Sequence, residues 1–126
     1  MLKRPENIIV KKTEDFSDRI IKMYKYLQQK KDGNIDLLKQ VLRSGTSIGA
    51  NVAESINAQT PADFITKLSI ALKEANETEF WLRSLLSGGF IDQKGFDSMF
   101  KDNDEIVKIL VSSIKTVRKR IEFDER

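Results

Sequence analysis

Proline, the residue least compatible with a helix interior, occurs only at Pro5 and Pro61 in 126 residues. Long uninterrupted helices are therefore allowed over most of the chain. Apolar residues recur every three or four positions, the spacing that gathers side chains on one helical face. From Thr13, read as an N-cap with Glu14 and Asp15 in the first turn, the stripe is Phe16, Ile20, Met23, Tyr24 and Leu27. It ends near Gly33, with Lys30 and Lys31 suited to the last carbonyls. A second helix is predicted from about Asp36 to Asn57, with Leu38, Val41, Leu42, Gly45, Ile48, Gly49, Val52, Ala53 and Ile56 on one side. Thr60 as N-cap, Pro61 at the first helical position and Asp63 in the first turn open a third, which closes at Gly88 and Gly89. Its stripe is Phe64, Leu68, Ala71, Leu72, Ala75, Glu79, Leu82 and Leu86. The fourth is predicted from about Asp92. The phase of Phe96, Met99, Asn103, Ile106, Val107, Leu110, Ile114, Val117 and Ile121 survives passage through the acidic cluster at Asp102, Asp104 and Glu105.

Four such helices joined by short turns predict an all-α fold, an antiparallel up-down-up-down four-helix bundle over residues 13–126. Residues 1–12 are predicted to be a flexible N-terminal arm, ordered only where something pairs with Ile8 to Val10. Gly45 and Gly49 fall inside the second stripe. Each costs about 1 kcal/mol relative to alanine in a helix interior, so both are read as sites of close helix packing.

The chain has neither cysteine nor histidine. That excludes disulfides, Ser/His and Cys/His catalysis, imidazole zinc sites and histidine pH switching. Glu79 interrupts the third stripe, with Glu74, Asn76 and Glu77 on neighbouring faces. Paired carboxylates can serve acid/base chemistry or hold a metal, but the usual companions are missing. Gly45-Thr46-Ser47, for instance, lacks the lysine and preceding strand of a phosphate-binding loop. Asn51, Glu74 and Glu79 are accordingly read as a structural polar network, and no catalytic residue, cofactor or metal is expected. No apolar run is long enough for a membrane span and the N-terminus is too short in apolar residues for a signal peptide, so a cytoplasmic protein is expected.

The outer faces carry the functional signal. Ile70, Phe80 and Trp81 project away from the third stripe, either widening the core contact or forming an interface. On the second helix, Arg43, Ser47, Ala50 and Glu54 oppose the apolar stripe, and small residues framed by two charges suit close packing with another chain. These seven residues are the predicted oligomer interface. The last helix places Lys101, Lys108 and Lys115 seven residues apart, after Lys94 and before Arg118 and Lys119, a line that could track phosphates. The net charge is only +3, from 22 basic and 19 acidic residues.

The runs QVLRSGTSIGANVA from Gln40 to Ala53, continuing into Glu54, and DFITKLSIALKEANETEFWLRSLL from Asp63 to Leu86 resemble the 23S rRNA intervening-sequence, or S23-type, proteins. The marks are Arg43, Ser44, Ser47, Ile48, Asn51, Val52, Ala53 and Glu54 in one helix, and Ala71, Glu74, Glu77, Thr78 and Glu79 in the next. The resemblance implies a bacterial cytoplasmic four-helix bundle. It extends to the accessory protein of diversity-generating retroelements, a basic pentamer that binds nucleic acid and a protein partner. The expectation is thus a non-enzymatic homo-oligomer, pentameric by resemblance, that acts as a scaffold contacting RNA or DNA. The alternative is an adaptor that binds a protein partner and no nucleic acid.

Overall fold

A computed structural model describes residues 4–30 and 35–124, with side chains over 8–30 and 36–124. Among these residues run four α-helices: α1, Arg4–Gln28; α2, Ile35–Ser55; α3, Pro61–Ser87; and α4, Gln93–Asp124. α1 and α3 each pack on both α2 and α4, which leaves α1/α3 and α2/α4 as the diagonals. Cross-links run in opposite senses along neighbouring helices: Lys12 reaches Glu105 while Arg19 reaches Asp102, and Arg43 reaches Glu77 while Glu54 meets Lys67. The fold is the antiparallel up-down-up-down bundle that the periodicity predicts.

Two sequence expectations need correction. The helix begins at Arg4, so residues 4–12 are the first turns of α1 and not an arm; residues 1–3 and Gly33 lie outside the described residues. Thr13 caps nothing. It is buried, and its hydroxyl donates to the Ile9 carbonyl at 2.8 Å. The physical reason is that Ile9, Thr13, Phe16 and Ile20 are spaced 4-3-4 and continue one stripe, with Ile9 buried among the core residues. Pro5 sits in the first turn, where its missing N–H removes no intrahelical bond.

The stripe of α3 is also rotated from the expected one. Its buried residues are Leu68, Ala71, Ala75, Thr78, Leu82 and Leu85, so Thr78 and Leu85 occupy the places assigned to Glu79 and Leu86. The ends of α3 form as the sequence indicates: Thr60 accepts from the Asp63 N–H at 3.0 Å, and Gly89 adopts a left-handed φ of 79° just beyond Gly88. α4 is continuous through Asp102 to Glu105, with Phe96, Met99, Asn103, Ile106, Leu110, Ile114 and Val117 buried.

The two glycines of α2 face α1. A Cβ on Gly49 would stand 3.3 Å from the Thr13 carbonyl oxygen, so here it is backbone that comes close. At Gly45 the space is filled by Ile20, whose side-chain carbons would lie 2.8 to 3.0 Å from an added Cβ. Overpacking of this kind costs about 1–3 kcal/mol. Gly49→Leu should therefore lower the unfolding free energy by about that amount or more in denaturant titrations, with Gly45→Ala milder because Ile20 can change rotamer. An unchanged midpoint for Gly49→Leu would show that the helices are not in register as described.

Candidate functional site

The two motif runs face each other across the α2–α3 seam. At its centre Ser44 and Thr78 are fully buried, with their hydroxyl oxygens 3.0 Å apart, and the Thr78 hydroxyl donates to the Glu74 carbonyl at 2.8 Å. Both hydroxyls are thus satisfied inside the bundle, which is what permits them there. Above this pair Arg43 reaches over from α2. One guanidinium nitrogen donates to Glu77 at 2.6 Å and another to Glu74 at 3.5 Å. The Trp81 indole N–H donates to the same Glu77 oxygen at 3.3 Å. Further along the seam Lys67 pairs with Glu54 at 3.0 Å.

The two carboxyls of the clamp differ in their protonation. Glu74 is the more enclosed, its side chain 15% exposed. Burial, then its contact with the Glu77 carboxyl, raises its pKa from the ordinary glutamate value against the pull of Arg43. The Arg43 hydrogen bond, aided by Trp81, holds Glu77 below its ordinary value, and the same bond raises the pKa of Arg43. As pH falls, Glu74 accepts a proton while Glu77 stays ionised against Arg43.

The predicted interface residues separate into two kinds. Arg43 and Glu54 find their partners within the chain, on α3. Ser47 donates to the Arg43 carbonyl one turn back, and Ala50 is exposed. Ile70 and Phe80 are exposed, 37% and 59% respectively, and Trp81 is half-buried against the core with its ring edge-on to Phe80 at 4.9 Å. The predicted network of Asn51, Glu74 and Glu79 does not exist as one assembly. Asn51 donates to the Ser47 carbonyl, Glu79 pairs with Arg83 on its own helix, and Glu74 belongs to the Arg43 clamp. The cause is the rotation of α3, which moves Glu79 to the edge of the core. Among the described residues the buried polar side chains are Thr13, Ser44, Ser55, Thr78 and Asn103; the Asn103 amide donates to the Ala75 carbonyl at 3.0 Å. Asn103 stands in the α4 stripe of the sequence; Thr78 becomes visible only once the stripe is centred on Leu82 and Leu85.

On α4, Lys101, Lys108, Lys115, Arg118 and Lys119 are all exposed. Lys108 pairs with Asp104 on the same helix, and the other four have no ion pair among the described residues. No group of three or more acidic side chains among those residues is arranged to hold a metal, and no helix among them is long and apolar enough to cross a membrane.

An antiparallel bundle whose second and third helices are joined by an Arg-Ser run facing a Glu-x-x-Glu-Thr run defines a class of small helical proteins. The chain belongs to the 23S rRNA-intervening sequence protein family, whose model matches residues 5–112. It is similar to the crystal structure of a protein of unknown function from the S23 ribosomal protein family of Bacteroides thetaiotaomicron, with 47% identity and a TM-score of 0.85 over 88% of this chain and 98% of that one. No curated protein matches the sequence.

The clamp generates a prediction with two opposed signs. Glu77 has a lowered folded pKa, so its stabilisation is present above the ordinary carboxylate value and lost as pH falls through the folded value. Glu74 has a raised one, so its contribution is present below about pH 4.3, the unfolded value, and lost as pH rises through the folded value. At neutral pH Glu77→Gln should cost about 1 kcal/mol, and Glu74→Gln less. Melting curves recorded upward from about pH 4 should show wild type losing stability relative to Glu74→Gln; parallel curves would contradict the assignment.

Proposed function

We propose that this protein is a non-enzymatic, cytoplasmic homo-oligomer that serves as a scaffold and binds structured RNA or DNA along α4. The observation that carries the reading is the outer face of α4, where Lys101, Lys115, Arg118 and Lys119 are exposed and unpaired among the described residues. Lys94, Lys101, Lys108 and Lys115 recur every seven residues and so span about 32 Å of helix, long enough to follow a phosphate backbone. The family's description, which places relatives with an intervening sequence of 23S rRNA, favours RNA as the first ligand to try.

Assembly is supported by Phe80 and Ile70, which are exposed on a helix whose Lys67, Glu74, Glu77, Glu79 and Arg83 are paired within the chain. Exposed aromatics of this kind are enriched at interfaces, and a second copy of the chain is the partner proposed, with five copies the number that the resemblance implies. A non-catalytic role fits the chemistry. Without histidine or cysteine the chain offers carboxylates, and the close pair Glu74 and Glu77 is already held by Arg43 and Trp81.

The test is filter binding to a 23S-type RNA hairpin and to duplex DNA across a salt series. Four phosphate contacts on a duplex predict a log–log salt slope of about −4, and Lys101→Glu with Lys115→Glu should flatten it by about 2. Absence of binding at low salt would favour the adaptor reading, in which the α3 surface receives a different protein. In sedimentation, wild type should exceed the monomer mass and Phe80→Glu should shift it toward monomer; a monomeric wild type at micromolar concentration would remove the assembly.

A further inference from the structure

One feature of the bundle lies apart from the α2–α3 seam and was not signalled by any motif. Where α1 ends beside the start of α4, two overlapping hollows of about 580 and 430 Å³ share Met23, Ile91, Asp92 and Gly95 and form one trough. Its floor is apolar, from Met23, Ile91, Met99 and Phe90. Its rim is cationic: Lys22 and Lys94 border one part and Lys30 the other. Tyr26, a residue 54% exposed, lines the trough, and the Lys30 ammonium lies over one face of its ring, 4.6 Å from the centroid, so a base would stack on the other face or in place of the ammonium. Arg19 also lines it, but its guanidinium is engaged by Asp102 at 2.6 Å and by Ser98, so it stiffens the wall and does not supply a free charge. Asp92 is the acidic lining residue, and one of its oxygens is taken by the Gly95 N–H at the start of α4.

An exposed aromatic ring over an apolar floor, edged by three lysines, is the combination that holds an unpaired base with its phosphate: the base stacks and the cations take the backbone. The volume is in the range of small-ligand sites. Position adds to the argument, because Lys94 is both a rim residue of the trough and the first of the seven-residue lysine series on α4. A strand following that series would arrive at the trough at its end.

We infer that the trough between α1 and the N-terminal turns of α4 seats one unstacked nucleotide of a nucleic acid lying along α4, with the base on Tyr26 and the phosphate between Lys22, Lys30 and Lys94. The inference rests on the nucleic-acid reading above and adds to it a preference for single-stranded ends or bulges over closed duplex. Asp92 keeps one carboxylate oxygen to accept from an exocyclic amine of the base.

The experiment is fluorescence anisotropy of the full chain with a blunt duplex and with the same duplex carrying a three-nucleotide overhang, in RNA and in DNA. Wild type should bind the overhang about tenfold more tightly, the effect of one base–aromatic stack. Tyr26→Ala should reduce that preference to near unity while leaving blunt-duplex affinity unchanged, Tyr26→Phe should retain it, and Lys22→Glu with Lys94→Glu should weaken the overhang complex more than the blunt one. Equal binding of both duplexes by wild type, or a preference that survives Tyr26→Ala, would overturn the trough assignment and leave the α4 reading intact. No binding to either duplex would overturn both.

Discussion

The bundle depends on α2 placing small residues, between the buried Leu38, Val41, Ile48 and Val52, where it comes closest to its neighbours. Toward α1, Gly49 lets the Thr13 carbonyl come to within 3.3 Å of where a Cβ would stand, and Gly45 leaves the room that Ile20 fills. Toward α3, Ser44 meets Thr78 with both side chains buried. Two interior glycines cost α2 about 2 kcal/mol of helix propensity, which the contacts with Ile20 and the Thr13 backbone offset. The arrangement is also selective. A slip of one turn between α2 and α3 would leave the Ser44 hydroxyl without its interhelical partner and bring Arg43 past Glu77, so the polar and the apolar contacts demand the same register.

With the register of α2 and α3 set, the charges sort themselves. Residues 32–91 carry 5 basic and 7 acidic side chains, and Glu54, Glu74, Glu77 and Glu79 are all paired with cations from α2 or α3. Elsewhere Lys11, Lys12, Arg19 and Lys108 are paired as well, whereas Lys101, Lys115, Arg118 and Lys119 on α4 are exposed without an ion pair among the described residues. Residues 92–126 carry 8 basic and 8 acidic side chains and residues 1–31 carry 9 and 4, so the excess of positive charge belongs to the N-terminal segment, while α4 offers exposed lysines interleaved with carboxylates.

Much of the architecture was legible in the sequence because it is written in spacing and punctuation: four periodic stretches, Thr60-Pro61 at one helix start and Gly88-Gly89 at its end. Thr13 misled because an N-cap and a buried, back-bonded threonine use the same residue type, and only Ile9 one turn earlier distinguishes them. Thr78 misled for a related reason. Its hydroxyl can be satisfied by the preceding turn, so it passes as an apolar residue, and the true stripe lies one position from the one drawn through Glu79. The Arg43 clamp was beyond reach, since it needs the relative height and rotation of two helices. In the sequence Glu74 and Glu77 stand out as carboxylates beside Glu79, and Arg43 as a charge framing small residues on α2, with nothing to join the two sets.

Asn103 connects this packing to the surfaces on which function would rest. It is wholly buried, and its amide nitrogen bonds the Ala75 carbonyl while its Oδ1 has no partner among the described residues. An unmet acceptor costs about 1–3 kcal/mol, so an apolar residue there would give a more stable but less specific contact. What the asparagine supplies is discrimination: any shift of α4 along α3 would leave both ends of the amide unpaired. The height of α4 in turn decides whether Arg19 meets Asp102, whether Lys12 meets Glu105, and whether Lys94 stands opposite the end of α1. The Asn103 amide thus acts together with the six apolar residues that α4 buries, and the same packing carries the lysine series and the trough at its end.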